Sequence, residues 1–344
     1  MFLFVGLIVL VELASQTLGF DTFTVVLVTV GVGVSKLYRF CSCNFNYVVC
    51  SCVYTELYFK FMYTINMFDE LILLPYWYIL VSITLFGAII GSFLNVVIYR
   101  LHTGKSLSGR SHCLSCGGGL LWYDLIPLVS YLLLRGRCRY CDSCITPRYF
   151  LVELATSVLF VVVFILSESI IELVLWWSAM AVIVVVAVYD IRHLIIPDIL
   201  VLLLLVLSGV WLFHQYGLDG NWFEIITDVL VAVSGGAVFA FLWLISGGKW
   251  IGLGDAKLAV PLGIFLGASS VFSLFVLSFW IGTVVSLCLL CVQFIINRGQ
   301  PHLRFSSASL TIKSEIPFAP FLLLSFLSIY WFSLDVLNIM SLFV

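Results

Sequence analysis

Charge is what this chain has least of: Asp, Glu, Lys and Arg make up 10% of its 344 residues, against about a quarter in soluble domains. So little charge cannot clothe the surface of a water-soluble globular enzyme. It lacks basic excess as well, since 16 Lys and Arg face 18 Asp and Glu for a net charge of −2. A nucleic-acid binder needs cationic surface to match phosphates, so that class is excluded too. Long polar stretches are also missing, which excludes a disordered chain. What is abundant is apolar: 63% of residues are hydrophobic and the mean hydropathy is +1.19. The bulk of the chain belongs in a bilayer.

A spanning helix needs roughly 20 mostly apolar residues. Eight segments qualify or nearly so: about 78–99, 150–166, 172–189, 199–213, 225–246, 257–268, 271–296 and 317–340. The sixth is short and runs into the seventh through Gly267-Ala268-Ser269, so the pair is expected to form a tight hairpin. Segment 100–149 carries seven of the 16 basic residues, Arg100, Lys105, Arg110, Arg135, Arg137, Arg139 and Arg148, against Asp124 and Asp142. The positive-inside bias puts that segment in the cytoplasm. Threading onward, Arg192, Lys249, Lys257, Arg298, Arg304 and Lys313 fall inside, while 167–171 and 214–224 carry no Lys or Arg and fall outside. The expected fold is an all-α polytopic membrane protein of about eight transmembrane helices, with a small cytoplasmic loop domain between the first two.

Residues 1–66 read differently. They hold apolar runs at 2–10 and 23–34, then Cys41, Cys43, Cys50 and Cys52 in a stretch nearly free of charge. Those cysteines lack the spacers usual in zinc sites. Without a basic start and a small-residue cleavage site, a signal peptide fits poorly. Met67 opens a polar tetrapeptide ahead of the first good span, so 1–66 reads as an upstream extension with Met67 as an alternative initiator, or as an extra anchor.

In the loop, Cys113-Leu-Ser-Cys116 and Cys138-Arg-Tyr-Cys141 are two CxxC pairs separated by 21 residues. Each places two thiolates at knuckle spacing, and four thiolates close a tetrahedral shell for Zn²⁺. The alternative is two thioredoxin-like redox pairs, but neither lies in a strand–helix context. A closed four-Cys shell has no open position, so this zinc is expected to fold the loop and do no chemistry. Cys144 is an extra thiol. Gly104-Lys105-Ser106 resembles the end of a phosphate-binding loop, but Tyr99 stands where glycine is required, and that match fails.

Acids inside membrane segments are costly and by default point to function. Asp190 ends the third span, and Asp255 opens the sixth in Gly252-Leu253-Gly254-Asp255. Threading puts both at the cytoplasmic edge. Two carboxylates brought together there share a proton, so one can act as base on water while the other polarises a carbonyl. Gly252 and Gly254 would let a substrate strand approach closely. Blander readings attach to the neighbours: Asp198 after Pro197 as a helix cap, Arg192 and His193 as interfacial anchors, and Glu153 as an ion-pair partner of Arg148.

Together these pieces resemble the bacterial type IV prepilin peptidases, membrane aspartic proteases of the GxGD type. The resemblance runs over about 78–340 through Gly91-Ser-Phe-Leu-Asn-Val-Val-Ile-Tyr-Arg100, the two CxxC pairs and Asp124-Leu-Ile-Pro-Leu-Val-Ser130. It continues through Leu133-Leu-Arg-Gly-Arg-Cys138, Arg148-Tyr-Phe-Leu-Val-Glu-Leu154, Asp190, Pro197-Asp198, Gly-Leu-Gly-Asp255-Ala-Lys257 and Ile316-Pro-Phe-Ala-Pro-Phe321. Ala319 stands where glycine is usual, and Phe150 where proline is common.

The resemblance implies a membrane aspartic endopeptidase with Asp190 and Asp255 as catalytic residues. It would remove a short basic leader from type IV prepilins or pseudopilins of pilus and type II secretion systems. Cleavage would fall at the cytoplasmic face of the bacterial inner membrane. It also implies N-methylation of the new terminus with S-adenosylmethionine, for which the chain shows no glycine-rich nucleotide fingerprint. The domain organisation would then be the extension 1–66, a first helix with the zinc loop at 67–149, and a seven-helix peptidase domain at 150–344. The readings from other classes are a cation transporter, which would place acids near mid-span, and a membrane scaffold docking through its zinc loop.

Overall fold

A computed structural model describes residues 75–103, 109, 111–217, 222–299, 317–332, 334 and 336. The expectations for 1–66 and Met67 therefore lie outside the described residues. Within them the chain is helical, with two isolated bridges in place of any sheet. The long helices are α1 (Tyr76–Thr103), α3 (Arg148–Leu166), α4 (Ile170–His193), α5 (Asp198–Tyr216), α6 (Trp222–Ser246) and α8 (Ala268–Gly299). Two shorter ones are α7 (Leu253–Leu266) and α9 (Ala319–Phe332), and α2 (Val129–Leu133) is a single short piece of the loop domain.

The all-helical membrane architecture matches expectation, and the count of eight spans is met loosely. Among the described residues, six helices are long and apolar enough to cross a membrane. α7 has 14 residues, about 21 Å at 1.5 Å per residue, short of a hydrocarbon core of about 30 Å. Such helices must find partners for their ends inside protein. α7 does so. Its turn into α8 is the single residue Gly267 at φ 79°, where L side chains are strained. Asp228, buried on α6, accepts the Ala268 N–H at 2.8 Å and the Tyr216 hydroxyl at 2.7 Å, fastening α5, α6 and the α7–α8 turn together.

α1 and α3 pack closely because α1 presents glycines four residues apart. A Cβ on Gly87 would lie 2.8 Å from Ser157 Cα, and one on Gly91 would lie 2.7 Å from Glu153 Cα. The obstruction in each case is helix backbone, which cannot swing aside. Small residues four apart are the usual means of close helix approach in membranes. Gly91→Ala is therefore expected to destabilise the protein by about 1–3 kcal/mol, and Gly91→Leu by more. Thermal melting in detergent reads this directly; unchanged melting of both variants would contradict the packing described.

The core between α4, α5, α7 and α9 is aromatic. Trp176 is fully buried, with the Tyr330 ring stacked at 3.9 Å and the Phe265 and Trp211 rings at 5.0 and 5.3 Å. This cluster fixes the relation of α4 to α7 and α9, the three helices whose near ends form the site described next.

Candidate active site and metal centre

α4 ends where Leu194 takes a left-handed conformation (φ 53°) and returns its N–H to the Asp190 carbonyl at 2.8 Å. Asp190 is thus in the last turn. Pro197 follows and starts α5. α7 begins after Gly252, and Asp255 at its third position turns its Oδ2 back to accept the Gly252 N–H at 3.2 Å. A carboxylate in that first turn is also favoured by the helix dipole. α3 leaves the loop domain and α4 returns toward it, so the Asp190 end of α4 is the loop-domain end of the bundle. α5 and α6 repeat the alternation and bring the start of α7 to the same end.

The structure brings the two acids together. Both are buried, at 5% and 6% exposure, and they lie within electrostatic range of each other. The backbone N–H of Ala319, at the start of α9, faces the Asp190 carboxylate. Oδ2 of Asp190 is buried without a hydrogen-bond partner. An unpartnered carboxylate oxygen can accept a hydrogen bond from a bound molecule. Ala319 was quoted in the sequence only as a motif position; its role as a neighbour of Asp190 comes from a contact across 129 residues (319 minus 190) that no local pattern shows.

Several neighbouring expectations need correction. A Cβ on Gly254 would lie 3.1 Å from Ile196 Cβ, and one on Gly252 would lie 3.2 Å from Asp255 Oδ2. Both glycines therefore sit close against atoms of the protein itself. Asp198 makes no cap hydrogen bond; Pro197 is the cap residue, and Asp198 instead takes an ion pair from Lys257 at 2.7 Å. That pair ties α5 to α7 two residues from Asp255, but both partners are well exposed, so its worth is at most about 1 kcal/mol. Glu153 does not pair with Arg148, whose guanidinium lies over the Tyr149 ring at 4.9 Å. Glu153 is buried, and its Oε2 accepts the Leu128 N–H at 2.8 Å, holding a residue at φ 60° where the loop domain turns onto the membrane helices.

In the loop domain the four expected cysteines do converge. The sulfurs of Cys113, Cys116, Cys138 and Cys141 lie within 4.8 Å of one another, with Cys113 and Cys141 at 3.9 Å. A tetrahedral zinc with Zn–S near 2.3 Å separates its sulfurs by about 3.8 Å, so the cluster fits such an ion. The two knuckles are built alike. Gly117 N–H returns to the Cys113 carbonyl at 2.9 Å, and Asp142 N–H to the Cys138 carbonyl at 2.9 Å. His112 bridges Gly119 in the first, and Arg137 bridges Cys144 in the second. Cys144 therefore occupies the position of Gly119, outside the cluster.

The backbone N–H groups of Cys116 and Ser115 lower the Cys113 thiol to about 6, favouring the thiolate that metal binding needs. A polar clasp joins the knuckles: Asp124 accepts Arg139 Nε at 2.8 Å, the Tyr140 hydroxyl at 2.9 Å and Leu121 N–H at 3.2 Å. Between this domain and the ends of α1 and α3 lies a cavity of about 380 Å³.

Comparison with known proteins agrees with this anatomy. The family model described as "Bacterial Peptidase A24 N-terminal domain" matches residues 85–167, and that of the "Type IV leader peptidase family" matches 177–287. A prepilin leader peptidase/N-methyltransferase of Vibrio cholerae is 28% identical over 268 residues, 73% of this chain and 96% of that protein. Proteins of the same name from Pseudomonas putida and Klebsiella pneumoniae are 32% and 34% identical, over 63% and 53% of this chain and 83% and 82% of theirs. No solved structure matches. With relatives above 30% identity matched over four-fifths of their own length, and with both family regions in order, this chain belongs to the type IV leader peptidase family.

Proposed function

We propose that this protein is a membrane aspartic endopeptidase that removes the short basic leader from type IV prepilins or pseudopilins at the cytoplasmic face of the inner membrane. Asp190 and Asp255 carry the reaction. The observation that supports this best is the buried pair of carboxylates with Asp190 Oδ2 left open. Two like charges that close do not both ionise, so the pair holds one proton between them. The ionised member takes a proton from water, whose oxygen attacks the scissile carbonyl carbon. The protonated member donates to the carbonyl oxygen, and on collapse a carboxyl protonates the departing amine. The Ala319 N–H and the Gly252 N–H keep the carboxylates oriented.

The loop domain faces the cytoplasm in this reading, as its basic residues indicate. Cys113, Cys116, Cys138 and Cys141 hold a structural Zn²⁺. The second activity in the relatives' name, N-methylation, carries over as part of the proposal. S-adenosylmethionine, when bound, supplies a methyl group on a sulfonium.

The test is reconstitution into vesicles with a substrate bearing a basic leader before an apolar helix. Mass spectrometry should find the leader released and, with S-adenosylmethionine added, the new terminus 14 Da heavier, the mass of one added CH₂. Folded, inserted protein that leaves the leader intact would refute the peptidase reading. In the same assay Asp198→Asn is expected to keep most of the rate, because it loses only the exposed pair with Lys257. A loss beyond tenfold would assign Asp198 a larger part.

A further inference from the structure

One stretch of the loop domain is turned inside out by the standards of a protein in water. It runs through the 3₁₀ turn at Trp122–Leu125 and α2. Trp122, Leu125, Ile126, Val129, Leu132 and Leu133 recur there three or four residues apart or side by side. All six are exposed, Trp122 by 76% and Leu133 by 77%. The charge in the stretch is Asp124, whose side chain is only 3% exposed and is held by Arg139, Tyr140 and the Leu121 N–H. Single apolar residues scattered over a soluble surface need no explanation. Six of them facing out, with the acid between them facing in, do.

The depth of this stretch follows from α3. That helix has 19 residues, about 28 Å, so its whole length is needed to cross a hydrocarbon core of about 30 Å. Glu153 lies five residues in (153 minus 148), about 7.5 Å from the start, and its Oε2 accepts the Leu128 N–H at 2.8 Å. Phe150, in the first turn, stacks on Tyr131 at 5.3 Å. The stretch is therefore pinned beside the first two turns of α3, where Leu151 and Leu154 are exposed and face lipid. Backbone polar groups at such a level need partners inside the protein. The N–H groups of Val129, Ser130, Leu132, Leu134 and Arg135 all reach backbone carbonyls between 126 and 132, Leu128 has Glu153, and Pro127 has no N–H to satisfy. The stretch ends at Arg135, an exposed cation on a long apolar stem, of the kind that reaches headgroup phosphates. We propose that residues 122–135 are an interfacial anchor. Their apolar side chains lie in the acyl boundary of the leaflet on the loop-domain side, and Arg135 lies among the headgroups. The partner is the bilayer itself, continuous with the lipid that covers α3. Two ties then hold the loop domain at the membrane: the contacts of Leu128 and Tyr131 with α3, and the contacts of this stripe with lipid.

The test uses the full, zinc-loaded chain in vesicles of phosphatidylethanolamine and phosphatidylglycerol. A photoreactive benzophenone amino acid replaces Val129 or Leu133 in turn, and Val206, exposed in the middle of α5, serves as the lipid-facing reference. After illumination, mass spectrometry counts chains carrying one added phospholipid. Val129 and Leu133 should each give at least a third of the yield at Val206. A smaller yield at both positions would overturn the anchor. Cross-links that run mainly to a second copy of the chain, or to an added prepilin substrate, would overturn it too, by giving the stripe a protein occupant. A second measurement keeps the probe at Val129 and adds Leu132→Lys with Leu133→Lys. The lipid yield should fall at least threefold while bound zinc stays near one per chain; an undiminished yield would count against the proposal. The inference depends on the membrane architecture alone, and leader cleavage is read separately, so either can fail without the other.

Discussion

Asp190→Asn and Asp255→Asn are each expected to abolish leader cleavage, by at least about a thousandfold, while the protein stays inserted and folded. One positioned acid or base is commonly worth about 10²–10⁴ in rate, and here either substitution removes the shared proton on which both roles depend. Asn is nearly isosteric with Asp. At 255 its carbonyl oxygen can still accept the Gly252 N–H, so the start of α7 need not move. At 190 the side-chain oxygen whose partner is missing belongs to no structural network, so little else should respond. Melting temperature and metal content serve as controls, and both should match wild type. Cleavage surviving at a tenth of the wild-type rate in either variant would sink the dyad. Because the pair titrates jointly, the wild-type pH–rate curve describes the two acids together and neither singly.

The second large effect concerns the metal centre. Cys113→Ser with Cys138→Ser should reduce bound zinc from about one ion per chain to near none, measured by elemental mass spectrometry, and should unfold the loop domain. The reason is one of scale. Structural zinc binding in small domains is worth about 10–16 kcal/mol, comparable to the whole stability of an ordinary domain. Besides the ion, the described part of the loop domain is held by one single-turn helix, a 3₁₀ turn, two bridges, the Asp124 clasp, the exposed Arg137–Asp142 pair, and the Leu128–Glu153 and Tyr131–Phe150 contacts to α3. Chelation of the wild type should give the same unfolding, detected as new proteolytic sites between residues 104 and 147. Cys144→Ser is the internal control and should retain the ion, since that thiol lies outside the cluster. Equal zinc in wild type and the double variant would overturn the assignment.

What the sequence made legible, and what it hid, follows from the range of the interactions. The spans were readable because a bilayer imposes a composition on some twenty consecutive residues. The knuckles were readable because two thiolates three apart are a local motif. Asp190 and Asp255 stood out because charge is rare in such a chain. The roles of Glu153 and Asp228 were not readable: each acid is satisfied by backbone 25 or 40 residues away, at Leu128 and Ala268. Arg148, five residues from Glu153, was the nearest cation in sequence, and proximity in sequence proved a poor guide to pairing. Asn95 inside α1 looked like one more residue of an apolar helix, because an unfilled acceptor becomes visible only once the surrounding walls are known. The shortness of α7 was readable as well, because Gly267-Ala268-Ser269 ends the sixth apolar segment early.

The fastening of the α7–α8 turn by Asp228 also bears on how the protein is made. A segment of 14 residues carrying Asp255 and Lys257 at its head is a poor candidate for independent entry into a bilayer. Gly267 leaves no slack between α7 and α8, so the two must be inserted as one hairpin, with the long helix drawing the short one in. α6, which carries Asp228, is synthesised before that turn. The chain order thus supplies the acceptor before the turn that it fastens.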